Sequence, residues 1–345
     1  MRDIYGIKKE ELANYFVNLG YKTYKATQVY EWLYEKRVNS FDEMTNIKKE
    51  LIEKLKEDFY FGNIKIDKKQ ENKEAIKYLL LLEDGNKVEA VLMKHDYGRS
   101  VCISSQIGCN IGCSFCESGR LKKVRDLTAG EMVKEVLLVE EDTKQRIDSI
   151  VIMGIGEPFD NYDNVTGFMT IINDPKGVHL GARHITVSTS GIVPKIKEFA
   201  SFPLQINLAV SLHAPNNEIR DKIMKINKAY KIEEVIDAIK YYIDKTNRRV
   251  TIEYILLKDV NDSNECAHEL VKLLRGLNVY VNLIPYNETS NAIYKESNEK
   301  RKKEFYDIIR NSGIVVTTRK KFGEGIDAAC GQLRASEVNK WNRII

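Results

Sequence analysis

The sequence lacks the features that mark a secreted or membrane-embedded protein. Only six cysteines occur in 345 residues, which is not a disulfide framework. Residues 1–12 are polar and charged, without the basic and then apolar stretch of a signal peptide. The longest conspicuous apolar run, residues 78–82, is far too short to cross a bilayer. These absences predict a soluble, cytoplasmic protein that does not associate with a membrane.

A strong excess of charge is also missing. The formal net charge is +4, which is too small to indicate a nucleic-acid partner by itself. Basic residues do cluster locally, at 120–125, 300–303 and 319–321. A solvated surface explains any one of these runs equally well, so charge alone leaves an RNA partner open.

Two kinds of pattern occupy the first hundred residues. Across residues 9–58, apolar side chains such as Leu12, Phe16 and Leu19 recur at helical spacing. Residues 76–82 and 87–93 read instead as two strands, joined by a turn of hairpin composition. We therefore predict a helical accessory domain over residues 1–62 and a β-hairpin linker over residues 63–97.

From residue 98 onward, short β-rich runs alternate with helical patterns. One helix is predicted over residues 128–142, where Thr128 and Glu131 form a capping box, and another over residues 263–275. Such alternation indicates a parallel sheet with right-handed crossovers. Six units are fewer than a closed barrel needs, so the predicted fold is α/β, an open partial (β/α)6 barrel over residues 98–333 with a tail at 334–345. The predicted strands are 100–104, 148–153, 184–188, 206–212, 249–256 and 279–284.

Residues with chemical character follow the predicted strands where each one ends. In parallel α/β sheets these carboxyl ends carry the site. Five loops that converge on one rim are difficult to explain by packing alone. The segments are 109–116, 154–158, 188–191, 211–213 and 285–287.

Three of the six cysteines lie on the first of these loops. Cys109, Cys113 and Cys116 supply three thiolates, which are soft ligands suited to zinc or to an iron–sulfur cluster. A structural zinc site needs four ligands, and this loop offers three and no histidine. The alternative is a zinc site completed by Cys102 or a distant residue. The spacing favours a [4Fe–4S] cluster with one iron left open to a small ligand.

This C-x3-C-x2-C loop resembles the signature of the radical S-adenosylmethionine (SAM) superfamily. An aromatic residue before the last cysteine, here Phe115, is also similar to that superfamily. The resemblance implies that SAM chelates the open iron and that electron transfer from the cluster yields a 5′-deoxyadenosyl radical. The turn 154–156 with Glu157 resembles the segment that approaches the SAM amine.

A more specific resemblance extends over at least residues 89–333. The motif at 326–333, IDAACGQL, is similar to the hallmark of the dual-specificity RNA methyltransferase family RlmN. Three positions depart from that pattern, Ile155 in the glycine turn and Glu117-Ser118 after the last cysteine. Further matching motifs occur in order at 101–106, 188–191, 211–216 and 282–285.

The resemblance implies a methyl-cysteine intermediate and two SAM molecules per turnover. Cys330 would take a methyl group from the first SAM. A radical formed from the second would activate that S-methyl group to add to C2 of adenine, leaving an RNA–protein crosslink. Cys102 would then attack the Cys330 sulfur to form a disulfide, and Glu89 would remove the proton as general base.

Each of these residues also has an ordinary structural interpretation. A lone cysteine in an apolar strand, such as Cys102, is usually part of the core. Glu89 reads by spacing as the exposed member of an alternating strand, His213 could be a core histidine, and Cys266 on a helix face reads as structural. By resemblance, the residues that contact SAM are Gly156, Glu157, Ser188, Ser211, Leu212, His213 and Asn287.

The implied partners are 23S rRNA and tRNA, together with an electron donor such as flavodoxin or ferredoxin; the chain is expected to be a monomer. The implied targets are an adenine of the peptidyl-transferase loop and the adenine 3′ of the anticodon. A related resistance enzyme methylates C8 of the same rRNA adenine, but Pro158, Ser190 and Pro285 favour C2. A non-catalytic, metal-bearing RNA-binding protein remains an alternative of another class.

Overall fold

The structure, a computed structural model, describes residues 1–288 and 293–319. Cys330, the motif at 326–333, the basic residues 320–321 and the predicted tail at 334–345 therefore lie outside the described residues.

Helices dominate the first sixty residues, as predicted. Buried tyrosines hold them together, since the Tyr30 hydroxyl donates to the Ile7 carbonyl at 2.5 Å and the Tyr34 hydroxyl to the Tyr5 carbonyl at 3.1 Å. A short parallel strand pair brings the two ends of this region together. The elements are β1 (Arg2–Asp3), α1 (Lys9–Asn18), α2 (Tyr24–Tyr30), a π-helical turn (Glu31–Glu35), α3 (Lys49–Asp58) and β2 (Phe59–Tyr60).

The predicted hairpin is part of a larger antiparallel extension of the main sheet. It consists of β3 (Lys65–Glu71), β4 (Ala75–Leu81) and β5 (Lys87–His95), each antiparallel to the next. The pattern missed β3 because its side chains are mostly charged and exposed, which hides the alternation typical of a strand. β5 then pairs with the first strand of the barrel, so the hairpin and the barrel share one sheet.

A partial barrel of strand–helix units follows. Its parallel strands include each of the six predicted segments, and β14 adds a further one within the described residues. The elements, in chain order, are β6 (Gly98–Ile103), β7 (Gln106–Ile107), α4 (Glu117–Arg120), β8 (Arg125–Asp126), α5 (Ala129–Thr143), β9 (Ser149–Ile152), α6 (Tyr162–Asn173), β10 (Ile185–Thr189), α7 (Val193–Phe199), β11 (Asn207–Ser211), α8 (Asn217–Ile223), α9 (Ile232–Thr246), β12 (Val250–Leu256), α10 (Asn264–Leu274), β13 (Val279–Pro285), α11 (Glu299–Asn311) and β14 (Val315–Thr318).

The order of the strands places the chemistry-bearing loops at one rim. Over the described residues the main sheet runs β14-β13-β12-β11-β10-β9-β6-β5-β4-β3. From β6 to β14 neighbouring strands are parallel, so the loops that leave their carboxyl ends emerge on the same side. β3 and β14 are the two edges, so the sheet remains open, as predicted.

Local signals in the sequence fix the entry of the first barrel helix. The predicted capping box at the start of α5 is present: the Glu131 amide donates to Thr128 Oγ1 at 3.1 Å, and the Thr128 amide to Glu131 Oε2 at 2.9 Å. In the part of the chain described here, no helix has the length and apolar character needed to span a membrane.

Candidate active site

The cysteine loop is folded tightly by its glycines and its own backbone. Gly108 has φ +82°, and a Cβ there would lie 2.1 Å from the Lys122 carbonyl oxygen, so a larger residue would force the loop apart. The Cys109 amide donates to the Leu121 carbonyl at 3.0 Å, and the Cys116 amide to the Cys113 carbonyl at 3.2 Å. These bonds bring the three cysteines onto one compact turn beyond β6.

The donor set of this turn fits an iron–sulfur cluster. Its thiols are half-buried, and burial raises the pKa of Cys109 to about 12 and those of Cys113 and Cys116 above the ordinary value. Metal binding must therefore displace protons from them. Among the described residues, no three His, Cys, Asp or Glu side chains surround a position for a single ion. A cubane makes no such demand, because each thiolate binds a different iron atom.

The second loop packs directly against the residues that lead into the cysteine turn. A Cβ on Gly154 would lie 2.5 Å from the Ile103 carbonyl oxygen, and one on Gly156 (φ +112°) would lie 2.6 Å from the Gln106 Cβ. The Gln106 side-chain oxygen accepts from the Glu157 amide at 2.9 Å. Glycine at both positions is thus required for the two loops to touch.

Glu157 joins the second loop to the third. One carboxylate oxygen accepts from the Phe159 amide at 3.0 Å, and the other accepts from the Ser190 amide at 2.7 Å. Burial raises the pKa of the carboxyl group, whereas these hydrogen bonds lower it. The structure therefore gives Glu157 a bracing role, and its contact with SAM stays a prediction.

The third and fourth loops bring two further predicted residues together. Ser188 and Ser211 end adjacent parallel strands, and their hydroxyl oxygens lie 3.3 Å apart. Leu212 is fully buried, whereas Asn287 is exposed just beyond β13. The burial of Leu212 and the exposure of Asn287 do not decide whether either residue contacts SAM, so both contacts stay predictions.

His213 lies beside the cysteine turn as a neutral ring. Its backbone has φ +58°, and its Nδ1 accepts from the Ile255 amide at 3.0 Å. Burial, assisted by the nearby Arg220 charge, lowers its pKa to about 3, so the ring carries its proton on Nε2. The ring meets Phe115 edge-on, with centroids 5.0 Å apart. This contact connects the fourth loop to the cysteine turn.

Arg220 is a buried cation that sequence reasoning did not single out. Its guanidinium donates to the carbonyl oxygens of Ser190 at 2.6 Å and Leu212 at 3.2 Å, and to the side-chain oxygen of Asn227 at 2.9 Å. These acceptors are uncharged. Burial lowers its pKa to about 10, while the proximity of Cys113 raises it. Its charge thus favours the thiolate form of Cys113, and no sequence motif could have indicated this placement.

The antiparallel extension brings Glu89 and Cys102 onto one face of the sheet. Val91 is paired directly with Cys102, and Glu89 lies two residues before Val91 on β5. Lys77 is paired with the same Val91 from the other side. The expectation by spacing that Glu89 is exposed is wrong, because only 3% of its side chain is accessible. Cys102 is half-buried, and desolvation raises the pKa of its thiol to about 11.

The basic run 120–125 forms internal contacts. The Lys123 ammonium lies 2.8 Å from carboxylate oxygens of both Asp126 and Asp160. Arg125 bridges Asp84 in the hairpin turn and Glu131 in the capping box, at 2.7 Å from each. These contacts favour a structural role for Lys123 and Arg125.

Comparison with known proteins agrees with this geometry. Residues 103–274 match the family described as the radical SAM superfamily, and residues 2–60 match the ribosomal RNA large subunit methyltransferase N-terminal domain. Two similar proteins are named probable dual-specificity RNA methyltransferase RlmN. That of Acholeplasma laidlawii is 54% identical over 97% of this chain and 99% of its own length; that of Enterococcus faecalis is 53% identical over 98% and 97%.

A solved structure extends the likeness to three dimensions. The crystal structure of a radical SAM methyltransferase from Sphaerobacter thermophilus superimposes with a TM-score of 0.90. It is 40% identical and covers 97% of this chain and 100% of that one. The likeness therefore includes the N-terminal helices as well as the barrel.

Proposed function

The chain belongs to the RlmN family of dual-specificity RNA methyltransferases within the radical SAM superfamily, and from that premise we propose that it methylates C2 of adenine in 23S rRNA and in tRNA. The observation that carries the proposal is identity above 50% over nearly the whole chain and nearly the whole of its relatives. Its cofactors are a [4Fe–4S] cluster and SAM.

We assign the cluster to Cys109, Cys113 and Cys116. When bound, the cluster supplies the electron that cleaves SAM to a 5′-deoxyadenosyl radical. The protein's part is to hold three thiolates on one turn and to shield them from water, which the loop contacts around Gly108 and Gly156 support. Arg220 supplies positive charge beside Cys113.

The residues that we propose to contact SAM lie on the loops around the cysteine turn. They differ in what they can offer a ligand. The neutral His213 ring retains an Nε2 proton to donate, because its Nδ1 is used by the Ile255 amide. The Ser188 and Ser211 hydroxyls can each donate and accept. The proposed set is completed by Gly156, Glu157, Leu212 and Asn287.

We propose that Cys330 carries the methyl group and that Cys102 resolves the crosslink. After methylene transfer to the adenine, the Cys102 thiolate would attack the Cys330 sulfur and form a transient disulfide as the carbon–sulfur bond breaks. The pKa of Cys102 is about 11, so the thiol must be deprotonated before it can attack. Glu89, on the same face of the sheet, is our candidate for the base that removes the C2 proton.

The remaining assignments follow from the substrate. Residues 1–62 would bind RNA, since residues 2–60 match a ribosomal RNA methyltransferase N-terminal domain. A flipped-out adenine would enter the barrel face that carries Cys102. We further propose that the enzyme acts as a monomer in the cytoplasm and that a flavodoxin or ferredoxin reduces the cluster.

Labelled turnover tests this function. The protein is reconstituted anaerobically with iron and sulfide, then incubated with methyl-labelled SAM, reductant and protein-free large-subunit rRNA or tRNA. Mass spectrometry of the digested nucleosides should find labelled 2-methyladenosine with the native protein and none with Cys330→Ala. Labelled 8-methyladenosine would reassign the enzyme to C8. An intact cluster that cleaves SAM without methylating either RNA would refute the methyltransferase assignment.

A further inference from the structure

A lysine is buried at the heart of the antiparallel extension. The side chain of Lys77, on β4, is 0% exposed, and its ammonium lies 3.1 Å from Glu89 Oε2 on the neighbouring strand. Burying one such ion without its partner is strongly unfavourable. A lysine at this position is therefore difficult to explain as packing, because an apolar side chain would fill the same volume at lower cost.

The strand register places this ion pair on the same face of the sheet as Cys102. Lys77 and Cys102 are both paired with Val91, one from β4 and one from β6, so all three side chains point to the same face. Glu89 belongs to this face as well. The Lys77 charge acts on Cys102 too, where it opposes the rise in thiol pKa that burial produces.

We propose that Lys77 is a positioning residue for the general base, holding the Glu89 carboxylate ionised and fixed on the face that it shares with Cys102. The inference deepens the proposed function and rests on it. A carboxyl group this deeply buried favours its neutral form, which could not accept a proton. An ammonium 3.1 Å away favours the ionised form of such a group and fixes the carboxylate oxygen that it contacts.

The step that depends on this ion pair is a single proton transfer. The C2–H bond of the adenine adduct breaks, its electron pair stays in the adenine ring, and the proton goes to the Glu89 carboxylate. Glu89 becomes a neutral carboxyl group beside the Lys77 ammonium, and the proton returns to solvent after product release. No external oxidant or reductant enters this step.

Other charged or titratable groups surround this face. His95 lies on the same side of β5 as Glu89 and, with Arg319 just beyond β14, lines a cavity of about 500 Å³ inside the barrel. Glu135 on α5 accepts from the Ser104 amide at 3.1 Å, and the Ser104 hydroxyl donates to the Glu89 carbonyl at 2.7 Å. Burial raises the pKa of Glu135 well above its usual range, whereas the Ser104 amide lowers it.

The test follows one turnover from adduct to free RNA. Enzyme already methylated on Cys330 is mixed with SAM, reductant and an RNA substrate, and the protein–RNA adduct is separated from free RNA on a denaturing gel over time. In Lys77→Met the adduct should form, but at neutral pH it should disappear at least about tenfold more slowly than in the wild-type enzyme. Methylation of Cys330 should be unchanged.

An isotope distinguishes proton removal from an effect on Cys102. With RNA carrying deuterium at adenine C2, Lys77→Met should show a larger isotope effect on adduct decay than wild type, because proton removal has become limiting. Lys77→Arg, which keeps the charge, should restore most of the rate. The matched control is Lys94→Met, which removes a half-exposed ion pair with Glu71 from the same strand β5; adduct decay should not change.

Two results with the Lys77 variants would overturn the proposal. A Lys77→Met enzyme whose adduct decays at the wild-type rate, with no change in isotope effect, would overturn the proposal. If Lys77→Met does not fold, Lys77→Arg carries the test, and loss of adduct decay in a folded, Cys330-methylated Lys77→Arg with no isotope effect would overturn it. A wild-type enzyme that yields no methylated adenosine would instead refute the proposed function.

Discussion

Two buried cations, one beneath the carboxyl-end loops and one in the antiparallel extension, are satisfied in different ways. Arg220, under the carboxyl-end loops, donates to carbonyl and amide oxygens and faces Cys113. Lys77, in the antiparallel extension, is paired with the carboxylate of Glu89. A guanidinium with neutral acceptors keeps its charge available to a neighbouring thiolate. An ammonium paired with a carboxylate instead fixes the charge state of its partner.

The difference separates two tasks within one enzyme. Around the cysteine turn the protein must stabilise negative charge on sulfur, and it holds positive charge there without a competing carboxylate among the described hydrogen-bond partners. On the Glu89 face, in the proposed mechanism, it must hold a buried carboxylate in place as a base. Removing each charge should therefore produce a different kind of defect.

The largest effect is expected on the cysteine turn. Replacing Cys109, Cys113 or Cys116 by Ser should abolish iron and sulfide binding and all RNA methylation, because the remaining two thiolates cannot hold the cluster. Metal and sulfide analysis after anaerobic reconstitution measures this. Cys266→Ser is the matched control, since Cys266 lies on the packed face of α10 and should leave cluster content unchanged. Full cluster content in a Cys113→Ser protein would contradict the assignment.

The second-largest effect is expected for Arg220→Met, which should lower the stability of the fold. It leaves the carbonyl oxygens of Ser190 and Leu212 buried without their donor, which should lower the free energy of unfolding by about 3 kcal/mol or more. Urea unfolding of the metal-free protein measures this loss. The exposed Lys222 on the same helix pairs with the exposed Glu218, so Lys222→Met should change stability by less than about 0.5 kcal/mol. Equal losses of stability in Arg220→Met and Lys222→Met would contradict the structural importance of the buried guanidinium.

The smallest of these effects is a pH dependence of the free energy of unfolding, which we expect from His213 beside the cysteine turn. The pKa of His213 is about 3 in the folded protein and about 6.5 when unfolded. As pH falls, the unfolded chain takes up the proton first, so the stability that His213 contributes is complete above about pH 6.5 and is lost progressively toward pH 3. Between pH 7 and 5, wild type should lose about 2 kcal/mol more than His213→Asn.

The choice of asparagine isolates the titration. Asn tolerates the left-handed backbone that His213 adopts at φ +58°, and it does not titrate in this range. Urea unfolding of the metal-free proteins at the two pH values gives the comparison. Parallel losses in wild type and His213→Asn would mean that another group accounts for the acid sensitivity of this region.

The same contrast explains how far the sequence could predict the molecule. The carboxyl-end loops are short, local segments. The cysteine spacing, the 154–158 turn and the capping box at Thr128 could therefore be recognised in the sequence, and the structure has the strands before these loops in the predicted order. The two strands of the main sheet that were missed, β3 and β14, are charged or short and have mostly exposed side chains. Their identity depends on pairing with neighbours rather than on their own pattern.

The antiparallel face was less predictable for a physical reason. Glu89 read as an exposed strand residue because alternation gives the face of a side chain but not what covers it. Its burial and its pairing with Lys77 follow from the register between β4 and β5, and register is a property of two strands. Arg220 is similar: its partners come from the loops after β10 and β11, which no local window contains.

The account depends most on the claim that the methyl group travels through Cys330 and is released by Cys102. Intact-mass analysis of Cys102→Ala after reaction with SAM, reductant and a short RNA substrate tests this directly. We predict a stable protein–RNA adduct that joins Cys330 to adenine C2 through one methylene carbon, whereas wild type yields free 2-methyladenosine. Free 2-methyladenosine from Cys102→Ala at the wild-type rate, with no adduct, would contradict it.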